Sequence, residues 1–324
     1  MAIAPSHIAK PVDRIGPWQL VRLIGEGAWT RVYQARPISS SSGNRPADYA
    51  VKVLKPQWAR DPLAVRMLQR EDRIGRHVSH PNLSPVLASR IDRAPFYLTT
   101  PLIVGTTVER WLGDHSAAEA LVDEAYGPSE ICASRYSRRM TALPLALTPP
   151  VALWIVRQAA EALAALHAAG WTHGDVKPGN LLVSPSGHVT LIDLGFARRI
   201  DLEIDPHAAL EDAELCAASP AYAAPELQDD GAKIDGSADT YSLGVTLFEL
   251  LARRRPFAEH DPRQLAVAHR HQPPPDLTEV VPGISRSLAR FVARMLSKEP
   301  SQRPDDIQLV RRLMDFEINT FHLR

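Results

Sequence analysis

The stretch His173-Gly174-Asp175-Val176-Lys177-Pro178-Gly179-Asn180 puts an acid, a cation and an amide into one tight loop, and Leu191-Ile192-Asp193-Leu194-Gly195 brings a second carboxylate shortly after. Phosphoryl transfer needs these parts: a carboxylate to orient a hydroxyl and take its proton, an ammonium facing developing negative charge, and two oxygen donors for Mg²⁺. The bland alternative is an ordinary Pro-Gly turn with Asx hydrogen bonds. Asp193 closes the apolar run Val189-Thr190-Leu191-Ile192, so it stands at a strand end where Gly195 turns the chain away. His173 reads as a packed histidine bracing the turn, with a base as the other option.

The elements that must position these residues fall into two kinds. Gln19 to Ile24 and Arg31 to Ala35 read as two strands joined by Gly25-Glu26-Gly27-Ala28-Trp29-Thr30. Glycines in such a turn let backbone amides approach phosphate oxygens, although a plain hairpin turn has the same look. Tyr49 to Leu54 is a third strand carrying Ala50-Val51-Lys52. Asp61 and Pro62 start a helix that runs to about His77 and carries Glu71, where a carboxylate could hold Lys52 in place. Taken alone, Lys52 and Glu71 read as solvated charges. Pro85 to Leu98 holds two more strands around Asp92-Arg93-Ala94-Pro95. From Thr148-Pro149-Pro150 onward the pattern is helical: Val151, Trp154, Ile155, Ala159, Ala162, Leu163 and Leu166 share a face, and segments 237–252, 285–297 and 305–315 follow. The class is α+β. The expected divisions are a loose leader over 1–16, a β-rich lobe over 17–101, and a helical lobe over 102–316 with an insertion at about 113–147. A tail over 317–324 completes the chain, and the hinge is expected near Leu102 to Gly105.

Composition narrows the field. The 324 residues carry 37 Lys plus Arg against 37 Asp plus Glu, so no global basic field draws nucleic acid or anionic lipid. Two cysteines make no disulfide framework and suit a reducing compartment. Met1 to Lys10 lacks the layout of a signal peptide. The apolar stretch 151–166 is broken by Arg157, Gln158 and Glu161, and 241–252 is too short for a bilayer, so both read as buried helices and no membrane span is expected. A cytoplasmic protein is the resulting expectation.

In this order and context the motifs resemble those of eukaryotic-type serine/threonine protein kinases, over about Trp18 to Met314. Supporting pieces are His80-Pro81-Asn82-Leu83, Ser219-Pro220-Ala221-Tyr222, Ala224-Pro225-Glu226, Asp239-Thr240-Tyr241-Ser242-Leu243-Gly244 and Arg303-Pro304. The resemblance implies a bilobal kinase fold and an enzyme transferring the γ-phosphoryl of ATP to Ser or Thr hydroxyls of protein substrates. It makes Asp175 the acceptor of the hydroxyl proton, Lys177 the group steadying the transferring phosphoryl, and Asn180 and Asp193 the ligands of Mg²⁺, which Mn²⁺ could replace. Lys52, held by Glu71, positions the α- and β-phosphates. Gly25, Glu26, Gly27, Val32, Ala50, Thr100, Leu102 and Leu182 surround the nucleotide, and Glu226 pairs with Arg303. The family is reminiscent of bacterial members here.

The chain departs from that pattern in places. Gly174 stands where the family usually has the Arg that receives an activation-loop phosphate, and between Leu194 and Ala224 the only Ser or Thr is Ser219. Activity independent of activation-loop phosphorylation is therefore expected. Asp201, Glu203, Asp205, Glu211, Asp212 and Glu214 favour basic substrates or simply form a solvated acidic loop. Thr30 replaces a third glycine and Leu194 the usual Phe. Gly75 replaces a large apolar residue, which would loosen the helix bearing Glu71. Thr100 is small, which predicts sensitivity to bulky purine-site inhibitors. Without an attached sensor domain, regulation is expected from a protein partner or from expression. Two other readings stay open: a small-molecule phosphotransferase of the aminoglycoside or choline kinase type, and a pseudokinase scaffold.

Overall fold

The computed structural model describes residues 14–38, 46–113, 148–200, 219–228, 234–259 and 261–321. Chain contacts divide it into two compact units, one of Met1–Asp72 with Val86–Leu102 and one of Arg73–Pro85 with Ile103–Arg324. The expected acidic stretch at 201–214 and the insertion from 114 to 147 lie outside the described residues.

The first unit is built on a six-stranded antiparallel sheet. Its strands are β1 (Arg14–Ile15), β2 (Trp18–Glu26), β3 (Thr30–Pro37), β4 (Tyr49–Leu54), β5 (Ala88–Arg90) and β6 (Tyr97–Pro101), in the order β1-β2-β3-β4-β6-β5. Alternation along β4 decides which side chain faces where. Val51 and Val53 join Ile15, Trp18, Ala35 and Tyr97 in one apolar cluster. Leu54 belongs to a second cluster with Leu98, Val86 and the helix residues Ala64 and Leu68. Lys52 shares the parity of Leu54, so its side chain is directed to the helix side of the sheet. That helix, α1 (Pro62–His77), starts where expected: the Asp61 Oδ1 accepts from the Ala64 amide at 2.9 Å, an N-cap with Pro at the first helical position.

The second unit is mainly helical. Its helices are α2 (Val108–Gly113), α3 (Pro149–Ala168), α4 (Gly236–Ala252), α5 (Pro262–His271), α6 (Leu277–Val280), α7 (Arg286–Met295) and α8 (Asp306–Phe321). Nearly every residue of α4 is buried, as a helix apolar on all sides requires. It packs with α3, α7 and α8 around one core that includes Leu153, Leu163, Tyr241, Leu247 and Leu313. Short strands carry the functional loops: β7 (Thr106–Thr107), β9 (Leu181–Val183) and β10 (Val189–Leu191) form one small sheet, and β8 (Trp171–Thr172) pairs with β11 (Arg198–Arg199). Among the described residues, no helix is long and apolar enough to cross a membrane.

Several expected boundaries need correction. The leader does not extend to residue 16, because Arg14 and Ile15 pair with Gln19 and Trp18 across a turn in which Gly16 adopts φ +53°, and Ile15 is buried. The expected lobe over 17–101 takes in 73–85, whereas chain contacts assign this segment to the helical unit. Ile74 and Leu83 bury in that unit's core, and Leu83 bridges Leu191. The tail is helical through Phe321, so its expected start at 317 falls inside α8, where Glu317 pairs with Arg157. The insertion boundary at 113 falls on the last residue of α2.

Asn82 explains why segment 73–85 stays with the helices. Its buried amide donates to the Gln158 Oε1 on α3 at 3.1 Å and to the Val189 carbonyl on β10 at 2.7 Å. Gln158 in turn accepts from the Val189 amide at 3.1 Å. Asn82→Ala removes a buried donor from both the Val189 carbonyl and the Gln158 Oε1 and should lower stability by about 1–3 kcal/mol. A urea midpoint unchanged from wild type would show that this network holds nothing.

Candidate active site

In the first unit, the Lys52 Nζ lies 2.7 Å from the Glu71 Oε2, and both side chains are mostly buried. The pair forms because β4 alternation turns Lys52 toward α1 and Glu71 sits on its buried face. Gly75, one turn further on and also buried, does not prevent it. The other nucleotide-side residues lie in register on the same sheet: Gly25 opposite Val32, Val32 opposite Lys52, and Ala50 opposite Thr100. The Leu102 amide donates to the Asp48 carbonyl at 2.8 Å.

The glycine turn is tied at both ends. The Gly27 amide donates to the Thr30 carbonyl at 2.9 Å, and the Lys55 amide to the Trp29 carbonyl at 2.8 Å. The Glu26 Oε1 accepts from Lys55 at 2.8 Å and from Arg31 at 3.2 Å. These hydrogen bonds, Lys55 first and Arg31 second, hold the Glu26 carboxyl below the usual carboxylate range. Trp29 packs against the Leu54 and Leu98 cluster.

In the second unit, the loop after β8 carries the remaining candidates. The His173 ring is fully buried and spends both nitrogens on backbone: Nδ1 accepts from the Asp175 amide at 3.2 Å, and Nε2 faces the Ile192 carbonyl at 3.1 Å. These partners fit a neutral ring with its proton on Nε2. It is a brace, as the sequence suggested, and has no nitrogen left for a substrate proton. Gly174 adopts φ +78°, a left-handed conformation that glycine enters without the Cβ penalty, and a Cβ there would collide with the Phe196 carbonyl. An Arg at this position would therefore set its Cβ against that carbonyl.

The Asp175 Oδ2 accepts from Lys177 at 2.8 Å and from the Asn180 amide at 3.0 Å. Its Oδ1 is buried and has no hydrogen-bond partner among the described residues. Lys177 also donates to the Ser219 hydroxyl at 2.6 Å. Asn180 spends its amide nitrogen on Asp175, both on the side chain and on the carbonyl at 2.8 Å, which turns its Oδ1 away as an available oxygen. The Ile192 amide donates to the Asn180 carbonyl at 3.0 Å, which brings Asp193 beside Asn180 in the chain's own register. Asp193 adopts φ 69° and ψ 76°, a left-handed conformation uncommon outside glycine and tolerated best by Asn and Asp. Leu194 is buried and belongs to the core of this unit. Leu182 lies on β9 between the buried Leu181 and Val183, on the opposite face.

Sequence reasoning treated Asp239 as part of a buried helix start and missed its role. Its Oδ2 accepts from the His173 amide at 2.6 Å and its Oδ1 from the Gly174 amide at 2.9 Å. The signal was present: an acid inside the apolar run from Ala238 to Leu251 is buried, and a buried carboxylate must be bound. The expected Glu226 and Arg303 partners do meet. Arg303 donates to the two Glu226 oxygens at 2.6 and 2.8 Å, its side chain is fully buried, and its guanidinium lies 4.9 Å over the Tyr241 ring.

A family model described as the protein kinase domain matches residues 18–313 of this chain. The chain belongs to the protein kinase family. This kinase domain is 30% identical over 302 residues to the serine/threonine-protein kinase Pkn1 of Myxococcus xanthus, covering 92% of the chain and 38% of Pkn1. It is equally identical over 289 residues to PknA of Mycobacterium tuberculosis, covering 89% of the chain and 58% of PknA. It thus spans well under two thirds of these curated relatives. The fold also matches a solved structure, a double mutant of the Mycobacterium tuberculosis PknI kinase domain, with a TM-score of 0.62 and 23% identity over 98% of this chain and 100% of the other.

Within the kinase domain the Glu226–Arg303 pair joins the Ala224-Pro225-Glu226 stretch to the residues just before α8. Glu226→Ala leaves a buried guanidinium unpaired and should cost about 3–5 kcal/mol. A shift in thermal midpoint no larger than that of a surface Glu→Ala control would contradict that magnitude.

Proposed function

We propose that this kinase domain transfers the γ-phosphoryl of MgATP to Ser and Thr hydroxyls of proteins. The observation that carries the reading is the Asp175 carboxylate. One oxygen is fixed by Lys177 and Asn180, and the other is buried with its acceptor capacity unspent among the described residues. That is the state of a carboxylate prepared to accept a proton from an incoming hydroxyl. Lys177, bridging Asp175 and Ser219, is placed to steady the transferring group. Protein kinases as a family use ATP and divalent metal. The Asn180 amide oxygen and the Asp193 carboxylate are hard oxygen donors that fit Mg²⁺, or Mn²⁺ in its place, with phosphate oxygens and water completing the shell. The metal supplies neutralisation of phosphate charge when bound. Lys52, oriented by Glu71, positions the α- and β-phosphates, and Gly25, Glu26, Gly27, Val32, Ala50, Thr100, Leu102 and Leu182 accommodate the nucleotide.

The same reading assigns a regulation. With Gly174 in place of a phosphate-receiving Arg, and with Ser219 already engaged by Lys177, activity does not depend on activation-loop phosphorylation. Control by a protein partner or by expression fits this reading. The reading places the enzyme in the cytoplasm, where ATP and protein acceptors occur together.

Asp175→Ala should lower kcat for a polypeptide acceptor by about 10²–10⁴-fold, with binding of ATP retained. Phosphatase-treated wild type should keep its rate. Equal rates for Asp175→Ala and wild type, or transfer to amino sugars in preference to polypeptides, would contradict the assignment.

A further inference from the structure

A single imidazole ties three helices together behind the catalytic loop. His167 lies in the last turn of α3, and its side chain is only 6% exposed. Its Nε2 is 2.9 Å from the Asp239 Oδ2 on α4, the oxygen that also accepts from the His173 amide. Its Nδ1 is 2.9 and 3.1 Å from the two carboxylate oxygens of Asp306, the first residue of α8. The pocket for the ring is built by Gly236 at the start of α4, where a Cβ would stand 2.5 Å from the His167 Nδ1.

The chemistry of this arrangement has one solution. Carboxylates accept and do not donate, so both ring nitrogens must carry protons, and the ring is an imidazolium. Burial opposes the charge, but hydrogen bonds to Asp239 and then Asp306 outweigh it and push the imidazole up to about 10. Asp239 is held below the usual carboxylate range: burial is the largest single effect and works against this, but the hydrogen bond and charge of His167 together with the His173 amide outweigh it. One carboxylate would suffice to hold a neutral ring. The second keeps the ring charged and fixes its plane, so that Asp239 remains an ionised acceptor for the loop amides.

We propose that Asp306 is a positioning residue for phosphoryl transfer: through the His167 ring and the Asp239 carboxylate it holds the His173 and Gly174 amides, and with them Asp175. This rests on the kinase reading above. The charged groups that face the ring are Asp239 from α4 and Asp306 from α8. The His173 backbone amide donates to Asp239, and Arg303, just before α8, donates to the Ser237 carbonyl at the start of α4. The segment from Arg303 to Asp306 thus reaches both the activation-segment end, through Glu226, and the catalytic loop, through His167.

The sign of the pH effect follows. A histidine raised from 6.5 to about 10 contributes stability fully below its unfolded value, and loses it as pH rises toward 10. Removing the Asp306 charge brings that loss to lower pH.

The test compares wild type, Asp306→Asn and Asp306→Glu, each assayed well below its melting temperature. In Asp306→Asn, kcat should fall about 3- to 10-fold, KM for ATP should stay the same, and the loss should deepen as pH rises above neutral. Hydrogen exchange of the His173 and Gly174 amides should accelerate by a similar factor, and Asp306→Glu should restore part of both. A lowered melting temperature with wild-type kcat, wild-type pH profile and wild-type exchange would make Asp306 a structural residue only and overturn the proposal. Wild-type protein that transfers no phosphate would sink the kinase reading instead, while amide exchange in the loop would still report whether Asp306 holds it.

Discussion

A buried carboxylate in the first turn of an apolar helix constrains the rest of the structure. Left unpaired in the interior, an ionised Asp239 would cost several kcal/mol, so it exists only where donors converge on it. They come from α3 and from the catalytic loop: His167, and the His173 and Gly174 amides. Loop conformations that withdraw these amides expose the helix to the desolvation cost, which disfavours them. The loop is therefore held by an electrostatic requirement of α4 rather than by its own local turn preference. Asp175 inherits its position from that requirement.

The surrounding packing gives this constraint a rigid frame. Helix α4 is buried along almost its whole length, so Asp239 cannot swing away with a flexible element. The Arg303 guanidinium, also buried, binds Glu226, Ser237, Ser297 and Lys298 and stacks on Tyr241. Such multiply bonded charges reward one geometry and penalise all others, because breaking any contact strands a buried group. The first unit uses a milder version of the same device, with the Lys52–Glu71 pair set by strand alternation and by the capped start of α1.

Much of this was legible in the chain because it is local. The strand carrying Lys52, the cap at Asp61, the helix start at Pro149 and the loop from His173 to Asn180 announce themselves by spacing and by residue type. Features set by distant partners were not. Asp239 meets the His173 amide 66 positions away, and Asp306 meets His167 139 positions away, with no periodic pattern to connect either pair. The segment 73–85 followed a strand-rich region and was read with it, but the contacts of Ile74, Asn82 and Leu83 attach it to the helices. Gly174 was read from what it lacks; its positive φ and its contact with the Phe196 carbonyl appear only in three dimensions. Gly75 was expected to loosen the helix bearing Glu71; the Lys52–Glu71 pair is formed at 2.7 Å.

The most direct test of the central claim, that the loop pinned by Asp239 works with Asn180 and Asp193 as a metal-assisted phosphoryl-transfer site, is a Mg²⁺ titration with radiolabelled ATP and a polypeptide acceptor, run on wild type and on Asp193→Ala. The account predicts label transfer that rises with Mg²⁺ in wild type and disappears in Asp193→Ala. Equal transfer by the two proteins, or none by folded wild type at any Mg²⁺ concentration, would contradict it.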